Sequence, residues 1–129
     1  MCMVDDADMV TVLSDQLFRA RKVAKCMECG RSIQTGELYK REGYLFEGAI
    51  STHRTCAQCL VCREWLVREC RGFLYSGIYE DLSEHFTESD YPSTIKRDLG
   101  RLIVGMRRQW DIKRFPRLPL TTKQLQPVT

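Results

Sequence analysis

The chain has 129 residues, 43% of them hydrophobic and 29% charged, which fits one globular domain with a tail and argues against wholesale disorder. No run of ~18 apolar residues offers a membrane span, and the opening MCMVDDADM is acidic without an apolar stretch, so the expectation is a soluble cytoplasmic protein. The net charge of +3 conceals segregation, since residues 1–18 and 72–90 carry only acids while 19–71 and 91–129 are rich in Lys and Arg; this suits an acidic or polyanionic partner, or neutralisation within the fold.

Along the chain, Met9, Val10, Leu13 and Leu17 recur at helical spacing, with Arg19, Arg21 and Lys22 suited to a helix C-terminus, so a helix is expected over 6–22. From Cys26 to Thr55 glycines punctuate apolar and aromatic segments, and Glu47-Gly48 predicts the turn of a β-hairpin. Residues 57–71 lack Gly and Pro and read as a helix carrying Leu60, Trp65 and Leu66, followed by an acidic aromatic connector with a short helix over 79–86. After Pro92, the residues Ile95, Leu99, Leu102, Ile103, Met106 and Trp110 fall within roughly a 100° arc, with Arg97, Arg101 and Arg108 opposite. A helix over 93–113 ended by Pro116 follows, and then a Pro-rich tail. The expected organisation is an N-terminal helical segment 1–25, a zinc module 26–71, an acidic connector 72–90, an amphipathic helix 91–115 and a tail 116–129.

Seven cysteines are the unusual count. In a reducing cytosol clustered cysteines read as metal ligands. Cys26 and Cys29 form one C-x2-C pair, followed by Gly30; Cys56 and Cys59 form a second. Each pair lets two thiolates hold one ion from a tight turn. Four thiolates suit tetrahedral Zn2+ in a closed, structural site. Cys2 reads as a terminal thiol, Cys62 and Cys70 as small core residues, His85 as a surface residue, and Trp65 and Trp110 as core anchors. No nucleophile–base pair, phosphate loop or carboxylate pair stands out, so an enzyme with a small-molecule substrate is not expected.

The order of knuckle, hairpin and helix over 26–71 resembles a treble-clef zinc finger, which implies an α+β fold with flanking N-terminal and C-terminal helices. The spacing of Cys26, Cys29, His53, Cys56, Cys59 and Cys62 also resembles the first part of a LIM domain. That likeness implies His53 as a ligand in place of Cys59, and both ligand sets stay open. HNH nucleases share the treble clef, but the hairpin lacks their Asp-His or His-His pair, so nuclease activity is a remote alternative. The stretches ARKVAKCMECGRSIQTGELY, RTCAQC and GIYEDLSEH resemble small four-cysteine bacteriophage and prophage proteins. This implies an accessory factor in the bacterial host cytoplasm.

The sequence therefore predicts a non-enzymatic, zinc-stabilised binding protein that docks on a host protein complex, of transcription or defence, and modulates or inhibits it. Arg97, Arg101, Arg108, Lys40 and Arg41 are the candidate partner-binding residues. A nucleic-acid-binding zinc finger is the alternative, supported by Lys22, Lys25, Arg31, Lys40, Arg41 and Arg54 around the cysteine pairs.

Overall fold

The computed structural model describes residues 2, 3, 10–88 and 90–111. In chain order these form β1 (Thr11–Arg19), β2 (Ala24–Lys25), β3 (Ser32–Ile33), β4 (Leu38–Phe46), β5 (Ala49–Cys56), α1 (Ala57–Cys70), α2 (Ile78–Glu88) and α3 (Ser93–Arg107). The fold is α+β, with an antiparallel sheet ordered β1-β4-β5 and a small antiparallel pair β2-β3.

β1 replaces the helix expected over 6–22; residues 6–9 of that helix, residues 112–113 of the helix expected over 93–113, and the tail 116–129 lie outside the described residues. The i, i+4 recurrence of Leu13 and Leu17 fits a strand as well, because even spacings share one strand face. Thr11, Val12 and Phe18 favour extended backbone, and β4 offers a partner along the whole strand, from Thr11↔Leu45 to Arg19↔Leu38. The register shifts between Val12 and Ser14 opposite Gly43, whose N–H donates to Ser14 Oγ at 3.0 Å. A Cβ on Gly43 would lie 2.8 Å from that oxygen, so a side chain there would displace the Ser14 hydroxyl and break this bond.

The β4–β5 hairpin forms as expected. Glu47 and Gly48 have φ of 52° and 80°, the pair of positive values that a two-residue turn with right-handed strand twist demands. β5 runs directly into α1, with Cys56 as N-cap in extended conformation. α1 buries Cys59, Cys62, Arg63, Trp65, Leu66 and Cys70. These occupy more than one face, because the helix lies between the sheet and α2.

α2 buries Ile78 and Leu82, and α3 packs on α2 through Leu99, Leu102, Ile103 and Met106. Ile95, expected in the same stripe, is 40% exposed. The helix also stops well before Pro116. Trp110 N–H donates to Gly105 O at 2.8 Å and Gln109 N–H to Met106 O at 3.0 Å, the paired 6→1 and 5→2 bonds of a Schellman ending. Gln109, at φ 56°, takes the left-handed position glycine usually fills. Trp110 is buried, as expected of an anchor, but reaches the core by folding back over Gly105 rather than from a helical face.

Candidate metal centre and cationic cleft

The first C-x2-C pair lies in a tight knuckle between β2 and β3. Cys26 N–H donates to Arg31 O and Gly30 N–H to Cys26 O, both at 2.9 Å. Gly30 holds φ 82°, and Met27 N–H bonds Arg54 O at 2.8 Å, tying the knuckle to β5. The second pair straddles the start of α1. The Sγ atoms of Cys26, Cys29, Cys56 and Cys59 all lie within 4.8 Å of one another, and those of Cys29 and Cys56 are 3.9 Å apart. A tetrahedron with Zn–S of ~2.3 Å separates its sulfurs by ~3.8 Å, so the cluster has the right size for one ion. Cys26, Cys56 and Cys59 are at most 1% exposed.

The surroundings favour thiolates. Cys56 N–H points at Cys26 Sγ at 3.3 Å, and the Trp110 indole N–H at Cys59 Sγ at 3.4 Å. The N-terminal end of α1, with no acid in its first turn, adds the positive end of its dipole. Among themselves the thiols compete for protons. Contacts from Cys29, Cys56 and Cys59 pull Cys26 toward the thiolate, while contacts with Cys26, Cys29 and Cys56, together with burial, push Cys59 up. A divalent cation removes that conflict by letting all four ionise. Burial works against the charge of Arg31, but Glu37 and Cys56 more than offset it and hold the guanidinium charged beside the sulfurs.

His53 lies apart from this cluster, with its Nε2 2.7 Å from Glu28 Oε2 and its ring on Tyr75 at 4.5 Å. Glu28, between the two knuckle cysteines, also accepts the Ser76 N–H at 2.8 Å. The imidazole thus fastens the knuckle to the 72–77 loop. Beside it, Arg63 contacts Glu42 at 2.7 Å and Thr55 Oγ1 at 2.9 Å, and Tyr75 donates to Glu42 at 3.0 Å. Nothing in the spacing of these residues announced the network. Glu42 and His53 are cross-strand partners facing α1, which only the hairpin register reveals. Buried as it is, the network ties elements together. Cys62 is a fully buried thiol, pushed up first by burial and then by Cys56 and Glu28.

The readings of Cys2, Cys70 and His85 change. Cys2 forms a disulfide with Cys70, and His85 is only 5% exposed, with Nε2 3.2 Å from Cys70 Sγ. The placement of His85 on the buried side of α2 follows from Leu82 and Ile78, which lie three and seven residues before it.

A second feature flanks the knuckle. A cleft of about 740 Å³ is lined by Arg19, Arg21, Lys22, Lys25, Arg41 and Arg54, with Phe18 and Tyr39 and no carboxylate. Phe18 and Tyr39 pair across β1 and β4 with ring centroids 6.3 Å apart, and Arg41 lies over Phe18 at 4.4 Å. Among the described residues Arg21, Lys22, Lys25 and Arg54 have no ion-pair partner. Of the candidate partner-binding residues, Arg41 reaches this cleft. Lys40, on the opposite strand face, pairs with Asp15 at 3.0 Å. Arg97 and Arg101 are exposed on α3, and Arg108 is exposed at its C-cap; none of the three lines the cleft. Helical spacing had placed Arg19 and Arg21 at a helix end; their density beside Lys22 and Lys25 was the available signal for the cleft. No helix among the described residues is long and apolar enough to cross a membrane.

Comparison of the chain with protein-family models, curated proteins and solved structures gives no match.

Proposed function

We propose that the protein is a non-enzymatic binding module, held together by one Zn2+ on Cys26, Cys29, Cys56 and Cys59, whose cationic cleft takes the phosphate backbone of a nucleic acid. The observation that carries this reading is the cleft itself, with six cations and no carboxylate in its lining. Such a surface neutralises phosphates and releases their counterions. The knuckle–hairpin–helix order, treble-clef-like, gives the metal a structural role, because the ion fixes the knuckle and β5, from which Lys25 and Arg54 project.

The test is binding of labelled single- and double-stranded oligonucleotides across a salt series. Affinity should fall steeply as salt rises, and a variant carrying Arg21→Glu, Lys25→Glu and Arg54→Glu should bind at least tenfold more weakly with a shallower salt slope. No binding at low salt, or an unchanged slope in the variant, overturns the reading.

Docking on a bacterial host protein complex is the second reading, and one observation favours it. Val12, Leu13, Phe46 and Ile50 are exposed at the hairpin end of the sheet, Ile50 by 73%. An apolar tip of this kind fits a protein partner, in keeping with the phage-like phrasing of the sequence. Capture of a host complex that survives nuclease treatment, and is lost in Ile50→Glu, supports this reading over the first.

A further inference from the structure

The disulfide between Cys2 and Cys70 lies beside two buried groups that a disulfide does not need. His85 Nε2 is 3.2 Å from Cys70 Sγ and 4.0 Å from Cys2 Sγ, and all three ligand atoms lie within 4.8 Å of one another. One helical turn earlier, Asp81 Oδ1 stands 3.4 Å from the same nitrogen. Asp81 is 1% exposed, His85 5% and Cys70 8%. Trp65 closes the site, with ring centroids 5.3 Å from His85, and Tyr91 packs on both rings.

His85 Nδ1 has no hydrogen-bond partner among the described residues, and the Asp81 carboxylate is faced only by the Met3 backbone N–H and the His85 ring, neither in close hydrogen-bond geometry. A carboxylate buried in that way is costly unless it is paired or bound to a metal. A disulfide carries no charge and accepts weakly, so it offers the carboxylate and the imidazole little beyond their own 3.4 Å contact. Two thiolates and an imidazole nitrogen converging on one point, with a carboxylate oxygen 3.4 Å from that nitrogen, are instead a donor set for tetrahedral zinc, which the Asp81 side chain completes by swinging toward the sulfurs. The Cα atoms of Cys2 and Cys70 are 5.7 Å apart, close enough for both sulfurs to reach a single ion.

We propose that, once the disulfide is reduced, Cys2, Cys70, His85 and Asp81 form a second Zn2+ site that fastens the N-terminal segment to α1 and α2. The interconversion balances. A dithiol reductant gives two electrons and two protons to the Cys2–Cys70 bond, yielding two thiols and the oxidised, cyclic disulfide of the reductant. Zn2+ then displaces the two thiol protons, taking His85 through its neutral Nε2 and Asp81 as the carboxylate. In the reverse direction a disulfide oxidant such as oxidised glutathione takes two electrons from the two thiolates and two protons from solvent to become two thiols, the Cys2–Cys70 bond re-forms and Zn2+ is released. The N-terminal segment stays cross-linked in both states, by a covalent bond in one and by the metal in the other.

The full chain, reduced with a dithiol and desalted without oxygen, is titrated with Zn2+ and separately with Co2+. The reduced protein should hold two ions per chain and the oxidised protein one. The Co2+ spectrum of the second equivalent should show weaker thiolate charge transfer than the first, because two sulfurs ligate rather than four. In the reduced state, Cys70→Ser, His85→Gln and Asp81→Asn should each lower the affinity of the second equivalent at least tenfold and leave the spectrum of the first unchanged. Cys56→Ser should lose the four-sulfur spectrum and keep the other, which separates failure of this site from failure of the site at Cys26. One ion per chain in the reduced wild-type protein overturns the proposal without recourse to any variant, as does a second equivalent unaffected by Cys70→Ser.

Discussion

At the scale of single residues, the cysteine cluster depends on groups far from it in sequence. Trp110 contributes the indole N–H to Cys59 Sγ and reaches it only because the chain turns back over Gly105. A Cβ built on Gly105 would overlap Trp110 Cζ3, a contact no side chain tolerates. Gly105→Ala must therefore expel the indole, although alanine alone would favour the helix by about 1 kcal/mol. We expect a net loss of ~1–3 kcal/mol, the range of overpacked cores, read from denaturant midpoints. Quenched or shifted Trp fluorescence should accompany it. Trp110→Phe keeps the packing and removes only the donor, so it should shift the Co2+ charge-transfer band while costing less stability. A Gly105→Ala protein as stable as the parent would show that the indole does not occupy this place.

At the scale of elements, legibility followed how local the determining contacts are. The hairpin was readable because Glu47-Gly48 sets its turn within two residues. α1 and α2 were readable because nothing in 57–71 or 78–88 breaks a helix. The four gathered cysteines followed from spacing that a tight turn converts into convergence. β1 was misread because its apolar residues fit both periods, and what decides between them is β4, some twenty-five residues away. The cleft was read only in part, since Arg19, Arg21, Lys22 and Lys25 converge with Arg41 and Arg54 only after β1 pairs with β4. The environment of His85 depends on an N-terminal cysteine 83 residues away, which no periodicity encodes. α3 was recognised as an amphipathic helix, yet its partner is α2 rather than the metal module, which it meets through Trp110. Leu99, Leu102, Ile103 and Met106 are buried, and each large apolar side chain returned to water forfeits roughly 1.5–3 kcal/mol. Because a domain this size is stable by only ~5–15 kcal/mol, a chain ending at residue 91 should aggregate or bind a hydrophobic dye. A soluble truncation with the parent's melting temperature would make α3 a detachable arm.

At the scale of the molecule, the cationic cleft and the four-cysteine cluster share the same part of the fold. The knuckle joins β2 to β3, the α1 N-terminus closes over it, and the cationic cleft lies against it. Loss of the proposed ion should therefore loosen the cleft as well as the core. Acid provides the test, and two effects share one sign. Thiolates bind metal only when deprotonated, so lowering pH releases the ion and the stability it contributes. Burial raises the Glu37 carboxyl, but Arg31 and the Gln34 N–H outweigh it and hold the group below the ordinary Glu range. A carboxyl lowered in the folded state adds stability above its unfolded pKa and loses it as pH falls through its folded pKa. Glu37 is partly exposed, and its pairing with Arg31 at 3.0 Å counts for at most ~1 kcal/mol. The metal should dominate. Melting temperature should stay level near neutrality and fall on acidification together with zinc release to a chromogenic chelator, and oligonucleotide affinity should fall in the same window. Glu37→Gln should flatten only the most acidic part of the curve. Zinc release that leaves melting and oligonucleotide binding untouched would show that the ion does not hold the cleft in shape.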